Sequence, residues 1–301
     1  VQTRSIGSLT VSVVGIGCNN FGSRLDEAAS AAVVTAALDA GITFFDTADV
    51  YGGSRSEAFL GRALGTRRDD VVIATKFGMP TSDGQGGADP AYVARACDAS
   101  LARLGTDRID LYQLHAPDPK VPIEATLHAL HALRAAGKVV EIGCSNFTAA
   151  QLDESAGARG FRSVQNQLSL LYRAPETDGV LETCAQNGIA FLPYYPLANG
   201  LLTGKVMDGT PPAGSRLAVA PEERRRHWLS DELLEKAEAV RAIADGHTTS
   251  MLALAFSWLL DHDAVASVIA GASTPEQVRE NAAAPAPMDQ GLRTALDTAT
   301  A

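Results

Sequence analysis

Eight short runs of strand-forming residues recur along this 301-residue chain, and stretches of helical composition separate each run from the next. The runs cover residues 12–17, 42–46, 71–76, 109–115, 139–145, 163–167, 189–194 and 265–271, and an N-terminal hairpin is expected over residues 3–12. Helical stretches fill 27–41, 56–64, 90–105, 122–137, 148–158, 179–188, 231–246 and 250–262, and a last one, 274–284, follows the eighth strand. A strand, a crossover helix and a second strand bring the chain back parallel to itself, so the alternation predicts a parallel sheet with helices outside it. Closing eight such strands on themselves leaves no unpaired edge. The expected fold is therefore α/β, a (β/α)8 TIM barrel with long active-site loops, built as a single domain over residues 1–301.

Local signals agree with these boundaries. Gly41, Gly105, Gly137 and Gly188 stand where helices end, and Pro90 and Pro122 suit a first helical turn. An open doubly wound sheet would satisfy the same alternation, but Gly15, Gly17 and Gly22 in the first turn lack the spacing of a dinucleotide fingerprint. Two connections are long, residues 77–89 after the third strand and 196–228 after the seventh. Long loops inside a compact domain usually serve function.

Charge and cysteine content narrow the function. The formal net charge is −10, and the basic run Arg224–Arg226 adjoins acidic residues, so nucleic acid is not an expected partner. No apolar run approaches the roughly 18 residues of a membrane span, and the first ten residues lack a signal-peptide core. Cys18, Cys97, Cys144 and Cys184 are widely spaced, which reads as reduced thiols in a cytoplasmic protein. His128 and His131 have no nearby Cys or His to complete a ligand set, so a surface pair and no metal are expected.

The informative residues stand at the carboxyl ends of the strands. Cys18, Asn19 and Asn20 follow the first, and Asp46, Lys76 and His115 end the next three. Ser145 and Asn146 close the fifth, Gln165 and Gln167 the sixth, Tyr194 the seventh, and Gly271 with Ser273 the eighth. In a barrel these ends ring one mouth, so side chains scattered along the sequence converge there. Tyr51, five residues beyond Asp46, adds a phenol. With an ordinary pKa of about 10, a phenol needs help to exchange protons with an alkoxide at neutral pH. A lysine ammonium lowers that pKa, and a carboxylate keeps the lysine charged inside the barrel. Lys76 and Asp46 supply these groups, and His115 supplies a donor for a carbonyl oxygen. Lys76 is one of only five lysines, and one standing within an apolar strand requires a partner.

The same segments resemble the aldo-keto reductase family. GITFFDTADVYGGSRSEAFLGRAL is similar to its Asp-Tyr signature, VVIATKFG to its lysine strand, IDLYQLHAPDP to its histidine strand and GKVVEIGCSNF to its fifth-strand signature. VQNQLSLLYR, PYYPLANGLLTGK and VASVIAGASTPEQVREN follow in the family's order, so the likeness spans roughly residues 4 to 284. It implies an NADP(H)-dependent barrel enzyme that interconverts small-molecule carbonyls and alcohols, with Asp46, Tyr51, Lys76 and His115 as catalytic residues and Tyr51 as general acid. It further implies Ser145, Asn146 and Gln165 at the nicotinamide carboxamide and Tyr194 stacked on the nicotinamide ring. Leu197 to Lys205, with Ser215 and Arg216, would cover the pyrophosphate. Gly271 lies beside these at the end of the eighth strand, Ser273 and Gln277 would stand near the 2'-phosphate, and Glu280 and Asn281 at the adenine.

The chain departs from the family at several positions. Tyr195 stands where Ser is common, Leu168 where Tyr is common, and Gln277 where many branches place Arg; GCNNFG lacks the aromatic residue that often follows the first strand. The segments LTGKV, GSRLA and VIAGASTPEQVREN are similar to the branch that includes the β-subunits of voltage-gated potassium channels. An NADP(H)-binding regulatory subunit is therefore the alternative expectation.

Overall fold

A computed structural model describes residues 1–156, 160–206 and 208–301. Its strands are β1 (Thr3–Ile6), β2 (Leu9–Ser12), β3 (Val14–Gly17), β4 (Phe44–Asp46), β5 (Val72–Phe77), β6 (Ile109–Leu114), β7 (Val139–Ser145), β8 (Ser163–Gln167), β9 (Ala190–Tyr194) and β10 (Val268–Ala270). β1 and β2 form the N-terminal hairpin, and the other eight form one parallel sheet in the order β10-β3-β4-β5-β6-β7-β8-β9. Between its two ends Phe191 bridges Val265 in parallel, with the Phe191 N–H donating to Ala264 O at 2.7 Å and the Ala266 N–H to Phe191 O at 3.0 Å. The barrel expected from the alternation is thus formed, with its last seam held by a bridge rather than a full ladder.

The helices are α1 (Glu27–Asp39), α2 (Arg55–Leu64), α3 (Pro90–Leu104), α4 (Ile123–Ala135), α5 (Ala149–Ala156), α6 (Ala174–Thr177), α7 (Val180–Asn187), α8 (Glu222–Trp228), α9 (Asp231–Gly246), α10 (Met251–Leu260), α11 (Pro275–Ala283) and α12 (Gln290–Ala299). Their ends follow local chemistry. The Asp26, Asp89, Ser250 and Thr274 side chains accept N-terminal amides, and Gly105 and Gly188 take left-handed φ values of 66° and 62° as C-caps. Pro122 caps α4 from outside instead of sitting in its first turn. Residues 157 and 158 of the expected helix 148–158 lie outside the described residues.

Several elements were not evident from the sequence. The connection 196–228 contains a 3-10 turn over Ala198–Thr203 and the helix α8. Glu222 and Glu223 open α8 and Arg225, Arg226 and His227 close it, an arrangement that favours the helix dipole but reads in one dimension as a mere charge cluster. The terminal helix α12 gains its place by docking: Trp258 Nε1 donates to Asp297 at 2.9 Å, and the Arg173 and Arg293 guanidinium carbons each lie 5.0 Å from the Trp258 ring.

Alternation along the strands separates two apolar layers. Phe45, Ile73 and Ile142 face the helices, whereas Phe44, Ala74 and Leu111 face the barrel interior. There they meet Ile6, Leu9 and Val11 of the hairpin, which seals the amino end of the barrel. Burying an aromatic such as Phe44 stabilises by about 1.5–3 kcal/mol. Glu141 ties the seal down, accepting from Ser8 N at 2.9 Å and Ser8 Oγ at 2.8 Å. Only the carboxyl end stays open.

Candidate active site

β4 ends at Asp46, the following turn carries Tyr51 into α2, β5 carries Lys76, and His115 stands one residue beyond β6. Inside the barrel Lys76 Nζ donates to Asp46 Oδ1 at 2.5 Å and to Thr47 O at 3.0 Å, and both side chains are buried. The ammonium lies 5.2 Å from the Tyr51 ring centroid, and the His115 ring meets Tyr51 edge-on at 5.9 Å. Asp46 Oδ2 accepts two amides, Gln165 Nε2 at 2.9 Å and Gln113 Nε2 at 3.2 Å. Four residues spread over 70 positions of sequence thus share one small volume, because neighbouring parallel strands bring their ends together.

Burial sets the protonation states. Desolvation opposes the Lys76 charge, but Asp46 and the Tyr51 hydroxyl outweigh it and hold the ammonium above its usual range. Tyr51 departs from the sequence expectation: Lys76 does pull its pKa down, yet burial pulls up harder and the phenol sits above its ordinary value. The His115 imidazole is driven down to about 3 by burial and then by Lys76, so it is neutral at physiological pH. Its Nδ1 is buried with no partner among the described residues, which leaves Nε2 as the nitrogen available to a carbonyl oxygen.

A cleft of about 740 Å³ opens from Tyr51 and His115 toward the β10 end of the mouth. Ser145, Asn146, Gln165, Tyr194, Leu197, Lys205, Ser215, Arg216, Gly271, Ser273, Gln277, Glu280 and Asn281 all line it; Asp46 reaches its floor and Lys76 lies behind the wall. Ser145 Oγ donates to Gln165 O at 2.6 Å. Asn146, at φ 64°, donates to His115 O at 3.0 Å and accepts from Tyr194 OH at 2.9 Å. Lys205 faces Glu280 at 3.5 Å, and Ser273 N donates to Gln277 Oε1 at 2.8 Å. The Nδ2 atoms of Asn199 and Asn281 are buried at this cleft with no partner among the described residues. These donors, with Arg216 and Lys205, suit an elongated anionic ligand such as a dinucleotide. Among the described residues no group of three or more His, Cys, Asp or Glu could hold a metal ion.

Several contributors were missed or underweighted in one dimension. Arg216 donates at 2.7 Å to both Asn19 and Asn20, and Arg24 donates to Gly214 O at 2.5 Å, so the long seventh loop is strapped to the first. The polar pair after the first strand was the available signal. Tyr195 and Asn199 adopt positive φ values of 53° and 55°, which no residue type announces. Gln113 lay inside a strand that also carries Asp110 and gave no signal.

Comparison with known proteins places these features in context. The model of the Aldo/keto reductase family matches residues 13–290. A probable voltage-gated potassium channel subunit beta from Arabidopsis thaliana is 32% identical, over 93% of this chain and 90% of its own. Aldo-keto reductase yakc [NADP(+)] from Schizosaccharomyces pombe is 34% identical, over 93% of this chain and 86% of its own. Among solved structures, the holo form of aldo-keto reductase AKR11C1 from Bacillus halodurans superposes with a TM-score of 0.84 at 30% identity, covering all of this chain and 96% of that one.

Proposed function

Since the chain belongs to the aldo/keto reductase family, we propose that it is an NADPH-dependent carbonyl reductase, acting on a small aldehyde, ketone or keto sugar with Tyr51 as general acid. The observation that carries this reading is the buried Lys76–Asp46 pair set beneath Tyr51, with neutral His115 alongside at the floor of the cleft. When bound, the dinucleotide supplies hydride chemistry. Tyr51, kept protonated by burial, donates its phenolic proton to the carbonyl oxygen, and Lys76 stabilises the phenolate left behind. The uncharged His115 orients that oxygen through a hydrogen bond without competing as an acid.

For the dinucleotide, Asn146 and Gln165 offer amides at the Tyr51 end of the cleft, Arg216 and Lys205 offer cations along its length, and Ser273, Gln277, Glu280 and Asn281 line its far end. A cytoplasmic setting fits four cysteines that are all buried and unpaired. Among the described residues no helix is long and apolar enough to cross a membrane.

Steady-state oxidation of NADPH against a panel of aldehydes, ketones and keto sugars tests the reading, with Tyr51→Phe as control. Multiple turnover that disappears in Tyr51→Phe while NADPH binding persists is the expected result. Tight NADPH binding with negligible turnover on every carbonyl would instead favour an NADP(H)-binding regulatory subunit; the Arabidopsis relative is named a probable voltage-gated potassium channel subunit beta.

A further inference from the structure

Gln113 lies at the centre of the barrel, fully buried, directly across the ladder from Lys76. Its Nε2 reaches Asp46 Oδ2 at 3.2 Å. The two carboxylate oxygens are thereby divided: Oδ1 serves the Lys76 ammonium, and Oδ2 serves the Gln113 and Gln165 amides. Gln165 also lines the cleft, whereas Gln113 is fully enclosed, so Gln113 is the donor that no ligand can recruit.

Two further observations separate this residue from a packing filler. Its Oε1 is buried with no partner among the described residues, a penalty that a leucine or methionine of similar size would not incur. Room for its side chain comes from the next strand, where Gly143 leaves a gap: a Cβ there would stand 3.1 Å from Gln113 Cγ and 2.3 Å from Ser163 Oγ. Polar burial without full satisfaction, in space cleared by a glycine, marks a group retained for what its amide touches.

We propose that Gln113 is a positioning residue for the reaction, whose amide fixes the Asp46 carboxylate so that Lys76 stays aimed beneath Tyr51. The proposal rests on the carbonyl-reductase reading above. Lys76 from β5, Tyr51 from the β4–α2 turn and the Cys18 thiol after β3 are the ionisable groups that couple to Asp46, and the Tyr51 phenol is further faced by Tyr194, Tyr195, Arg216 and the His115 ring. Removing the amide donor leaves the Oδ2 charge less compensated and the potential at Tyr51 more negative. In alcohol oxidation Tyr51 must be ionised to accept the proton, so the rate rises with pH through the phenol limb. That limb should move to higher pH when the donor is lost.

The test uses Gln113→Met, which keeps the volume, and Gln113→Glu, which keeps a donor only while protonated. Expected for Gln113→Met is a kcat lowered about tenfold or more with KM and NADPH affinity within about twofold, and a phenol limb raised by about half a pH unit or more. Gln113→Glu should approach parental kcat near pH 6, where its buried carboxyl donates to Asp46, and lose it as pH rises and two carboxylates face each other. A Gln113→Met protein with parental melting temperature, kcat and pH profile overturns the proposal, as does a Gln113→Glu protein that keeps parental kcat at a pH where infrared spectroscopy shows its introduced carboxyl ionised. If Gln113→Met does not fold, Gln113→Glu decides alone. Failure of the underlying reading looks different: the parent itself would turn over no carbonyl.

Discussion

Arg216 Nη2 lies 2.7 Å from Asn20 Oδ1, joining residues 196 positions apart across the mouth of the barrel. Asn20 in turn donates through Nδ2 to Ser273 Oγ at 3.3 Å, so the strap over the cleft and the rim beyond β10 share one asparagine. Arg216 sits among Arg24 and Arg224, and burial together with these like charges pulls its guanidinium below the ordinary value. A partly buried cation crowded by others is poised for an anionic ligand.

If Arg216 and Ser273 together meet the 2'-phosphate, Arg216→Ala weakens NADPH far more than NADH. A charge-assisted contact of about 1.5–3 kcal/mol corresponds to roughly 10- to 150-fold. Fluorescence titration of both nucleotides checks it, and added salt should weaken parental NADPH binding more than that of the variant. Equal losses for the two nucleotides would move Arg216 to the shared pyrophosphate.

Lys76→Met removes the cation that opposes burial at Tyr51, so the phenol rises further above its already raised position. In the direction of alcohol oxidation the pH–rate limb should therefore shift upward, alongside a large loss of kcat. A folded variant whose limb stays in place would break the proposed coupling between the two residues.

His115 should leave no limb near pH 6.5 in carbonyl reduction, because burial and Lys76 hold it at about 3. Its folded pKa lies below its unfolded value, so the unfolded chain takes up the proton first. The stability it contributes is present above about pH 6.5 and is lost as pH falls toward 3. Thermal melts of His115→Gln across that range should show a smaller acid destabilisation than the parent.

Asp49 carries the opposite sign. Burial, reinforced by Glu57 and offset in part by Arg103, raises its carboxyl to about 7, and its Oδ1 is buried with no partner among the described residues. The unfolded carboxyl ionises near 4, so keeping Asp49 in the fold destabilises increasingly as pH climbs from 4 through 7. Asp49→Asn should stabilise the protein at pH 8, by at most roughly 4 kcal/mol, and the gain should vanish near pH 4. Calorimetric melts at the two pH values measure the difference, and an Asn variant that is less stable at pH 8 would show that the ionised carboxylate makes a favourable contact.

Much of the fold was legible because its signals are local. Apolar runs of strand length, glycines at Gly105 and Gly188 and the proline at Pro90 mark elements wherever they occur. Polar residues at successive strand ends pointed to one mouth once closure was assumed, and Asp46, Lys76, His115 and Gln165 meet there. Helix α12 escaped because what holds it is Trp258 on another helix. Gln113 escaped because a single amide in a strand looks the same whether or not a carboxylate lies across the barrel.

By itself the sequence determined the order of the barrel strands and the chemical groups available at their ends, since hydrophobic periodicity and residue type are properties of neighbours along the chain. Only the tertiary structure decided how those groups behave. Whether burial or Lys76 wins at Tyr51, and which donors share the two oxygens of Asp46, depend on distances across the barrel and on the exclusion of water. Electrostatic energies vary with separation and local polarity, and neither quantity exists until the strands have closed.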